Sequence, residues 1–285
     1  MSRALVAVDL DRTLIYSAAS AGIGVSGLRC VEHLDGRPLS YMSPTTVDLL
    51  GDLDARALVV PVTTRTVAQY RRVGFPGRPR PFAVAANGGE ILVDGEPDPL
   101  WRTQIDAAVS DALPVATVYR RVVADADPAW LRAARVADDL FCYAVIDPAT
   151  APDDLVERWR VWAEADGWNV SRQGRKVYLM PDAVTKWSAV SEVASRTDTP
   201  ADRIVAAGDG ALDRPVLERA HRAIRPRHGE LEELSWHHPT LSVSSASGVA
   251  ASEEIVAALL RWAGAPGPDD RGADDRSSDD RDGNP

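Results

Sequence analysis

Cysteine is nearly absent: Cys30 and Cys142 are the only two in 285 residues. Two thiols so far apart in sequence make neither a disulfide framework nor a CxxC redox or zinc motif, so they read as small hydrophobes. Long apolar runs are missing too. No stretch approaches the ~20 residues that a membrane-spanning helix needs. The opening MSRALVAVDL has neither the apolar core nor the cleavage site of a signal peptide, so a cytoplasmic protein without a membrane partner is expected. Basic charge is in deficit as well. A net charge of -10 argues against general nucleic-acid binding, which relies on a basic face to displace counterions. Part of that charge is local: residues 264–285 carry seven Asp and three Arg, in DDR triplets among Gly, Ser and Pro. This tail is expected to be disordered and solvated.

What remains is an ordinary globular composition, 45% hydrophobic and 26% charged, in a chain long enough for one large domain or two moderate ones. Apolar runs recur at Leu5–Val8, Ala57–Val62, Phe82–Ala86, Lys176–Met180, Ile204–Ala207 and Leu241–Val243. Between them, Thr45–Leu53, Thr66–Val73, Lys186–Ser195, Asp213–Ala220 and Ser252–Trp262 have helical spacing. Strands alternating with helices predict an α/β protein with a Rossmann-like, doubly wound parallel sheet. The middle of the chain differs. Strand-like pieces near Leu140–Ile146 and Trp168–Gln173 flank a patterned helix over Asp153–Ala165, which reads as an α+β module inserted into the sheet domain. Trp159, Trp162 and Trp168 are its expected core.

The first strand discharges into two carboxylates, Asp9 and Asp11, with Thr13 two residues further on. Ligands of open α/β sheets bind outside the carboxyl ends of the strands, although Asp also caps turns in such places. Three more constellations stand at strand ends or helix starts. Thr63-Thr64-Arg65 follows Val59–Val62 and offers hydroxyls and backbone N–H groups to an anion, or a simple helix cap. Lys186 opens a helix, where a cation is unfavourable unless an anion lies nearby. Gly208-Asp209-Gly210-Ala211-Leu212-Asp213 follows Ile204–Ala207. So many carboxylates around one lysine and one hydroxyl call for a divalent cation, and an oxygen-rich set of this kind suits Mg²⁺. Phosphoryl transfer to a carboxylate nucleophile uses such a set.

The order D-x-D-x-T, strand-Thr, Lys, G-D-x-x-x-D resembles the four motifs of the haloacid dehalogenase superfamily of phosphatases. The module between the threonine and lysine motifs resembles the C2-type cap of Cof-like and sucrose-phosphate phosphatase-like members, as do Ala86-Asn87-Gly88-Gly89 and Val177–Pro181 leading to Lys186. A further resemblance is to actinobacterial hydrolases of this superfamily from tellurium-resistance-type gene clusters. The resemblance implies a core over residues 1–89 and 181–263 and a C2-type cap over 90–180, with the tail at 264–285. It implies Asp9 as nucleophile, Asp11 as general acid and base, and Thr63 and Lys186 as holders of the phosphoryl oxygens. It implies Mg²⁺ on Asp9, the Asp11 carbonyl and Asp209, with Asp213 as a further or supporting ligand. Thr64, Arg65, Asn87, Gly88, Arg175 and Lys176 would contact the substrate, a small phosphorylated metabolite such as a sugar phosphate or nucleotide-like compound. A monomer or small homo-oligomer is expected.

The chain departs from the family pattern at Arg12, where Gly is frequent, at Thr64 in place of the Gly of T-G-R, and at Leu212, where Cof-like members often have Asn. None removes a charge needed for the reaction. Gly22-Ile23-Gly24-Val25-Ser26-Gly27 satisfies G-x-G-x-x-G but follows no strand and opens no helix, so it reads as a flap rather than a dinucleotide site. His237-His238 beside Pro239 reads as a loop rather than a zinc site. Arg172, Gln173, Arg175 and Lys176 could hold a second anionic group or sugar hydroxyls, or be protective charges on a solvated edge strand. Two other function classes share the residues: a phosphomutase using the same Asp9 intermediate, and a non-catalytic ligand-binding regulator.

Overall fold

A computed structural model describes residues 3–264. In chain order the elements are β1 (Ala4–Val8), β2 (Arg29–Leu34), β3 (Arg37–Met42), α1 (Pro44–Arg56), β4 (Ala57–Pro61), α2 (Val67–Tyr70), β5 (Phe82–Ala85), β6 (Glu90–Val93) and β7 (Glu96–Pro97). Then come α3 (Pro99–Ala108), α4 (Val115–Ala124), β8 (Leu131–Ala137), β9 (Phe141–Ile146), α5 (Leu155–Glu164), β10 (Trp168–Gln173) and β11 (Lys176–Pro181). The chain ends with α6 (Lys186–Arg196), β12 (Ile204–Ala207), α7 (Arg214–Arg219), β13 (Arg222–Arg225), α8 (Glu230–Glu233), β14 (Leu241–Val243) and α9 (Val249–Gly264).

Five strands form a parallel sheet in the order β14-β13-β12-β1-β4. Every residue of β1 and β4 is buried, as strands covered on both faces must be. Side chains alternate across the sheet. Leu5 and Ala7 join Leu58, Val60, Val190, Val193 and Leu217 on the α6 and α7 side, while Val6 and Val8 join Leu50, Leu53, Val59, Ile255 and Leu259 on the α1 and α9 side. Local signals set the helix ends: Ser43 Oγ accepts from Thr46 N at the start of α1, and Pro44 occupies its first turn. Thr185 does the same for α6 by accepting from Ser188 N.

The second sheet is antiparallel, in the order β10-β11-β9-β8. One of its faces presents Val170, Val177, Leu179, Cys142 and Ala144, all buried, and α4 and α5 pack along this sheet. Trp159 and Trp168 are fully buried here as expected, whereas Trp162 is half-buried, with the Arg121 guanidinium 5.3 Å from its ring.

Several local expectations are corrected. Phe82–Ala85 pairs along its length antiparallel with β6 and meets the end of the β4 segment through a single parallel bridge, Val62 with Val84, while Lys176–Pro181 is an interior strand of the second sheet, within the inserted module. Hydrophobicity shows that a strand is buried but not which strand it pairs with. The helix expected over Thr66–Val73 is a single turn, Val67–Tyr70, despite a Thr66–Gln69 capping box. The following Gly74-Phe75-Pro76-Gly77 cannot continue it. The hairpin of β2 and β3, and helices α3 and α4, are additional elements. The G-x-G-x-x-G segment lies in turns, and His237-His238 lies in a loop. Both cysteines are free. Among the described residues, no helix is long and apolar enough to cross a membrane. The expectation of disorder concerns a tail that, from residue 265 onward, lies outside the described residues.

Candidate active site

In the sheet order, β1 has β4 on one side and β12 on the other. The chain therefore leaves β1 in opposite directions, and the crevice at such a switch point is where open α/β sheets bind ligands. Asp9 stands at the carboxyl end of β1, with its backbone N donating to Ala207 O at 2.9 Å. Thr63 follows β4, its N bonded to Val84 O and its Oγ1 accepting from Arg65 N at 3.2 Å. Asp209 and Asp213 follow β12.

The centre is a buried charge cluster. Lys186 Nζ donates to Asp9 Oδ1 at 2.7 Å and also to Asp213 Oδ1. Asp213 Oδ2 accepts from the backbone N of Asp209 and of Gly210, at 3.0 and 2.9 Å. Asp213 therefore braces both Lys186 and the loop carrying Asp209. A Cβ at Gly208 would run into the Asp213 carboxylate, so only glycine permits this approach. Ligand oxygens of Asp9, Asp209 and Asp213 lie within 4.8 Å of one another.

The electrostatics follow from that crowding. Burial raises the pKa of Asp9, Lys186 opposes it, and Asp213 and Asp11 add repulsion, leaving it pushed up to about 7. Burial, then repulsion from Asp9 and Asp213, drives Asp209 well above the usual carboxylate range. Lys186 moves the other way: burial disfavours its charge, but Asp213 and Asp9 outweigh this and hold it above the ordinary lysine value. With all three carboxylates ionised, one ammonium leaves about two negative charges uncompensated, and Arg12 approaches Asp209 only to 3.7 Å. All the free donors are oxygen. The residues present therefore fit a hard divalent cation such as Mg²⁺.

Asp11 sits differently. Its side chain is 53% exposed, and Arg65 grips both carboxylate oxygens, Nε to Oδ2 at 2.7 Å and Nη2 to Oδ1 at 2.8 Å. Desolvation raises its pKa, but the Arg65 hydrogen bonds and charge outweigh that, and the net value falls below the ordinary one. Arg65 is itself anchored by Glu32, 3.0 Å from Nη1, and the same Glu32 pairs with Arg72 and accepts from Ser40 Oγ at 2.6 Å. Glu32 lies buried on β2. It had no recognisable signal, since a single acid in Cys30-Val31-Glu32-His33 reads as an exposed strand residue.

Arg12 explains why glycine is frequent after the second aspartate. Its φ is +63°, a left-handed conformation that disfavours side chains. Here the turn is latched: His228 Nε2 hydrogen-bonds Arg12 O at 2.9 Å, while Gly248 N donates to His228 Nδ1 at 3.2 Å. The second bond makes Nδ1 the acceptor, so Nε2 carries the proton and the ring is neutral. Burial accordingly lowers the His228 pKa.

Asn87 and Gly88 are occupied with the approach to Lys186. Asn87 Nδ2 donates to Val184 O at 3.1 Å, its N bonds Thr63 O, and Gly88, at φ +102°, lies against the Thr185 carbonyl where a Cβ could not fit. Over the site stands the second sheet's other face. Tyr178 stands beside the Thr64 side chain, and Lys176 shares its strand face two residues away. The basic cluster is divided: Arg172 turns back to Gly174 O, and Arg175 lies exposed in the hairpin turn. Tyr178 was legible only as core, although its i, i+2 spacing from Lys176 marks a shared face.

No family model matches the chain. A phosphoglycolate phosphatase of Aeropyrum pernix is 28% identical over 262 residues, covering 92% of this chain and 95% of that protein. Among solved structures, the sucrose-phosphatase of Synechocystis, solved with sucrose and phosphate, aligns with a TM-score of 0.65 at 16% identity, over 91% of this chain and 98% of its own. A Thermoplasma acidophilum protein aligns at 0.62 and 16%, covering 91% and 99%. A sugar phosphatase of subclass IIB aligns at 0.56 and 10%, covering 91% and 98%. The chain thus has the α/β fold of these structures, and its structural neighbours include phosphatases of the haloacid dehalogenase superfamily.

Proposed function

We propose that this protein is a Mg²⁺-dependent phosphomonoester hydrolase that works through an aspartyl-phosphate on Asp9. Its substrate class is a small polar phosphorylated metabolite. The meeting of Asp9, Asp209, Asp213 and Lys186 at the switch point of the parallel sheet carries this reading. Similar proteins named for phosphoglycolate and sucrose-phosphate hydrolysis support it.

Asp9 Oδ1 is held by Lys186, which leaves Oδ2 to attack phosphorus. As that bond forms, the P–O bond to the leaving group breaks, and Asp11 gives its proton to the departing oxygen. Asp11 then removes a proton from water, the water oxygen attacks phosphorus, and the bond to Asp9 breaks, releasing inorganic phosphate. The Arg65 pair favours the ionised form of Asp11, the form required for water activation. The acid step therefore requires that pair to open. Thr63 and Lys186 hold phosphoryl oxygens, and Lys186 also reduces repulsion between the nucleophile and the phosphate.

Asp9, the Asp11 carbonyl and Asp209 would hold the cation, with Asp213 braced behind them. Bound Mg²⁺ supplies charge neutralisation of the phosphoryl oxygens. Residues 90–180 act as a C2-type cap that excludes bulk water, over a core of residues 1–89 and 181–263, and the protein works in the cytoplasm. Assay with an aryl phosphate tests the reading: phosphate release with Mg²⁺, abolished by chelation and in Asp9→Asn, is expected. Retained turnover in Asp9→Asn overturns the mechanism.

A further inference from the structure

The cap sheet has two faces with different chemistry. Its pairing aligns Gln173 with Lys176, Ser171 with Tyr178, Lys176 with Val145, and Tyr178 with Tyr143. Paired residues share a face, so Ser171, Gln173, Lys176, Tyr178 and Tyr143 stand together, opposite the face buried under α4 and α5. Tyr178 stands beside Thr64, and the Gln173 amide lies against Gly210, where it would meet a Cβ. The polar face therefore closes over the carboxyl ends of β4 and β12, directly above Asp11. The Ser171 hydroxyl there is buried without a hydrogen-bond partner.

Two cations stand on this face, Arg135 on the edge strand β8 and Lys176 on the interior strand β11, and Lys176 is the one on the strand that carries Tyr178. Lys176 Nζ rests 5.5 Å from the centre of the Tyr143 ring. Of the other basic groups nearby, Arg65 holds Asp11 and Glu32, Arg72 holds Glu32, and Lys186 holds Asp9 and Asp213, while Arg175 lies exposed in the hairpin turn. Lys176 has no ion pair among the described residues. It is not an edge-strand gatekeeper, because β11 lies between β10 and β9 in the interior of its sheet. Burial and then the nearby Arg65, Arg175 and Arg72 lower its pKa, against the pull of Asp11. The chain contains only one other lysine, Lys186.

We infer that Lys176 binds a second negative charge on the substrate, so that preferred esters carry a carboxylate or another anion on the leaving group. Tyr143, Tyr178, Gln173 and Ser171 surround this ammonium with hydrogen-bonding groups suited to a short, polar leaving group. The inference rests on the phosphomonoesterase reading and narrows its substrate class.

Two esters of equal length test it: phosphoglycolate, which carries a carboxylate, and ethyl phosphate, which does not. The unmodified protein should prefer phosphoglycolate in kcat/KM by roughly 10- to 100-fold, the value of one charge-assisted contact. Lys176→Met should collapse that ratio toward unity through KM for phosphoglycolate, and Lys176→Arg should restore most of it. Equal use of the two esters by the unmodified protein, or an unchanged ratio in Lys176→Met, overturns the inference. A second readout needs no turnover. Reductive ¹³C-dimethylation preserves charge and should label Lys176, because Lys186 is 1% exposed. In the Asp9→Asn protein with Mg²⁺, phosphoglycolate should shift the Lys176 methyl resonance, and ethyl phosphate should not. Equal responses overturn the inference even if no ester is hydrolysed. Absence of phosphate release from every ester, with a selective methyl shift, overturns the hydrolase reading alone.

Discussion

The floor and the roof of this site are built on opposite plans. The floor is drawn from ends of parallel strands and the start of α6, and its charges are locked: Asp9, Lys186 and Asp213 are 6%, 1% and 4% exposed and bonded to one another. The roof is an antiparallel sheet face, and the cation at its middle, Lys176, is exposed and has no ion pair among the described residues. A reaction common to many substrates needs fixed geometry, because preorganised charges do not have to rearrange as the reaction proceeds. Selection between substrates needs groups whose partners arrive with the ligand. Under the proposed function, chemistry belongs to the floor and choice to the roof, and variants of each should fail in different ways.

The largest effect belongs to the floor's nucleophile. Asp9→Asn keeps the shape but removes the attacking oxygen, and turnover of every ester should fall by ~10⁴-fold or more, measured by phosphate release. Loss confined to some esters would blur the division between floor and roof. Lys186→Met should next affect the fold itself. It strips the ammonium from two buried carboxylates and should cost about 3–5 kcal/mol, read by urea denaturation. The corresponding roof variant, Lys176→Met, should stay within about 0.5 kcal/mol of the parent; similar losses for the two would erase the contrast.

The latch on Arg12 sharpens the comparison, since it supports the floor from a distance. His228→Ala should destabilise by about 1–2 kcal/mol, and less in an Arg12→Gly background, where the left-handed turn needs no side-chain support. Equal losses in the two backgrounds would separate His228 from the turn.

The smallest effect concerns pH. Asp209 has a folded pKa above its unfolded value of about 4, so the folded chain binds that proton more tightly. Stability is consequently lost as pH rises from the unfolded value through the raised one. In metal-free buffer Asp209→Asn should therefore gain in Tm over the parent, by about 2–4 °C at pH 8 and less at pH 5. A gain independent of pH would remove the repulsion argument.

The floor was legible in the sequence because its signals are local. Leu5–Val8 is continuously apolar since β1 is covered on both faces, and the strand ends where Asp9 meets Lys186 in the buried charge cluster. Lys186 could be read as an ill-placed cation at a helix start, and the cation is explained by Asp9 and Asp213. Pairing was not legible. Phe82–Ala85 looks like one more parallel strand in sequence, yet it meets the β4 segment through a single parallel bridge, Val62 with Val84, and pairs along its length antiparallel with β6. Glu32 was invisible for a related reason: its meaning comes from Arg65 and Arg72, each distant in sequence. The roof's function likewise needed register, because only the pairing shows that Lys176 and Gln173 share a face while Arg172 does not.

The central claim is that Asp9 becomes phosphorylated. Acid-quenching the protein during turnover of an aryl phosphate with Mg²⁺, followed by peptide mass spectrometry, tests it directly. The account predicts a phosphoryl group on the peptide containing Asp9 and none in Asp9→Asn. Phosphate release from the unmodified protein with the phosphoryl group on another residue, or with no covalent species at any quench time, would contradict it.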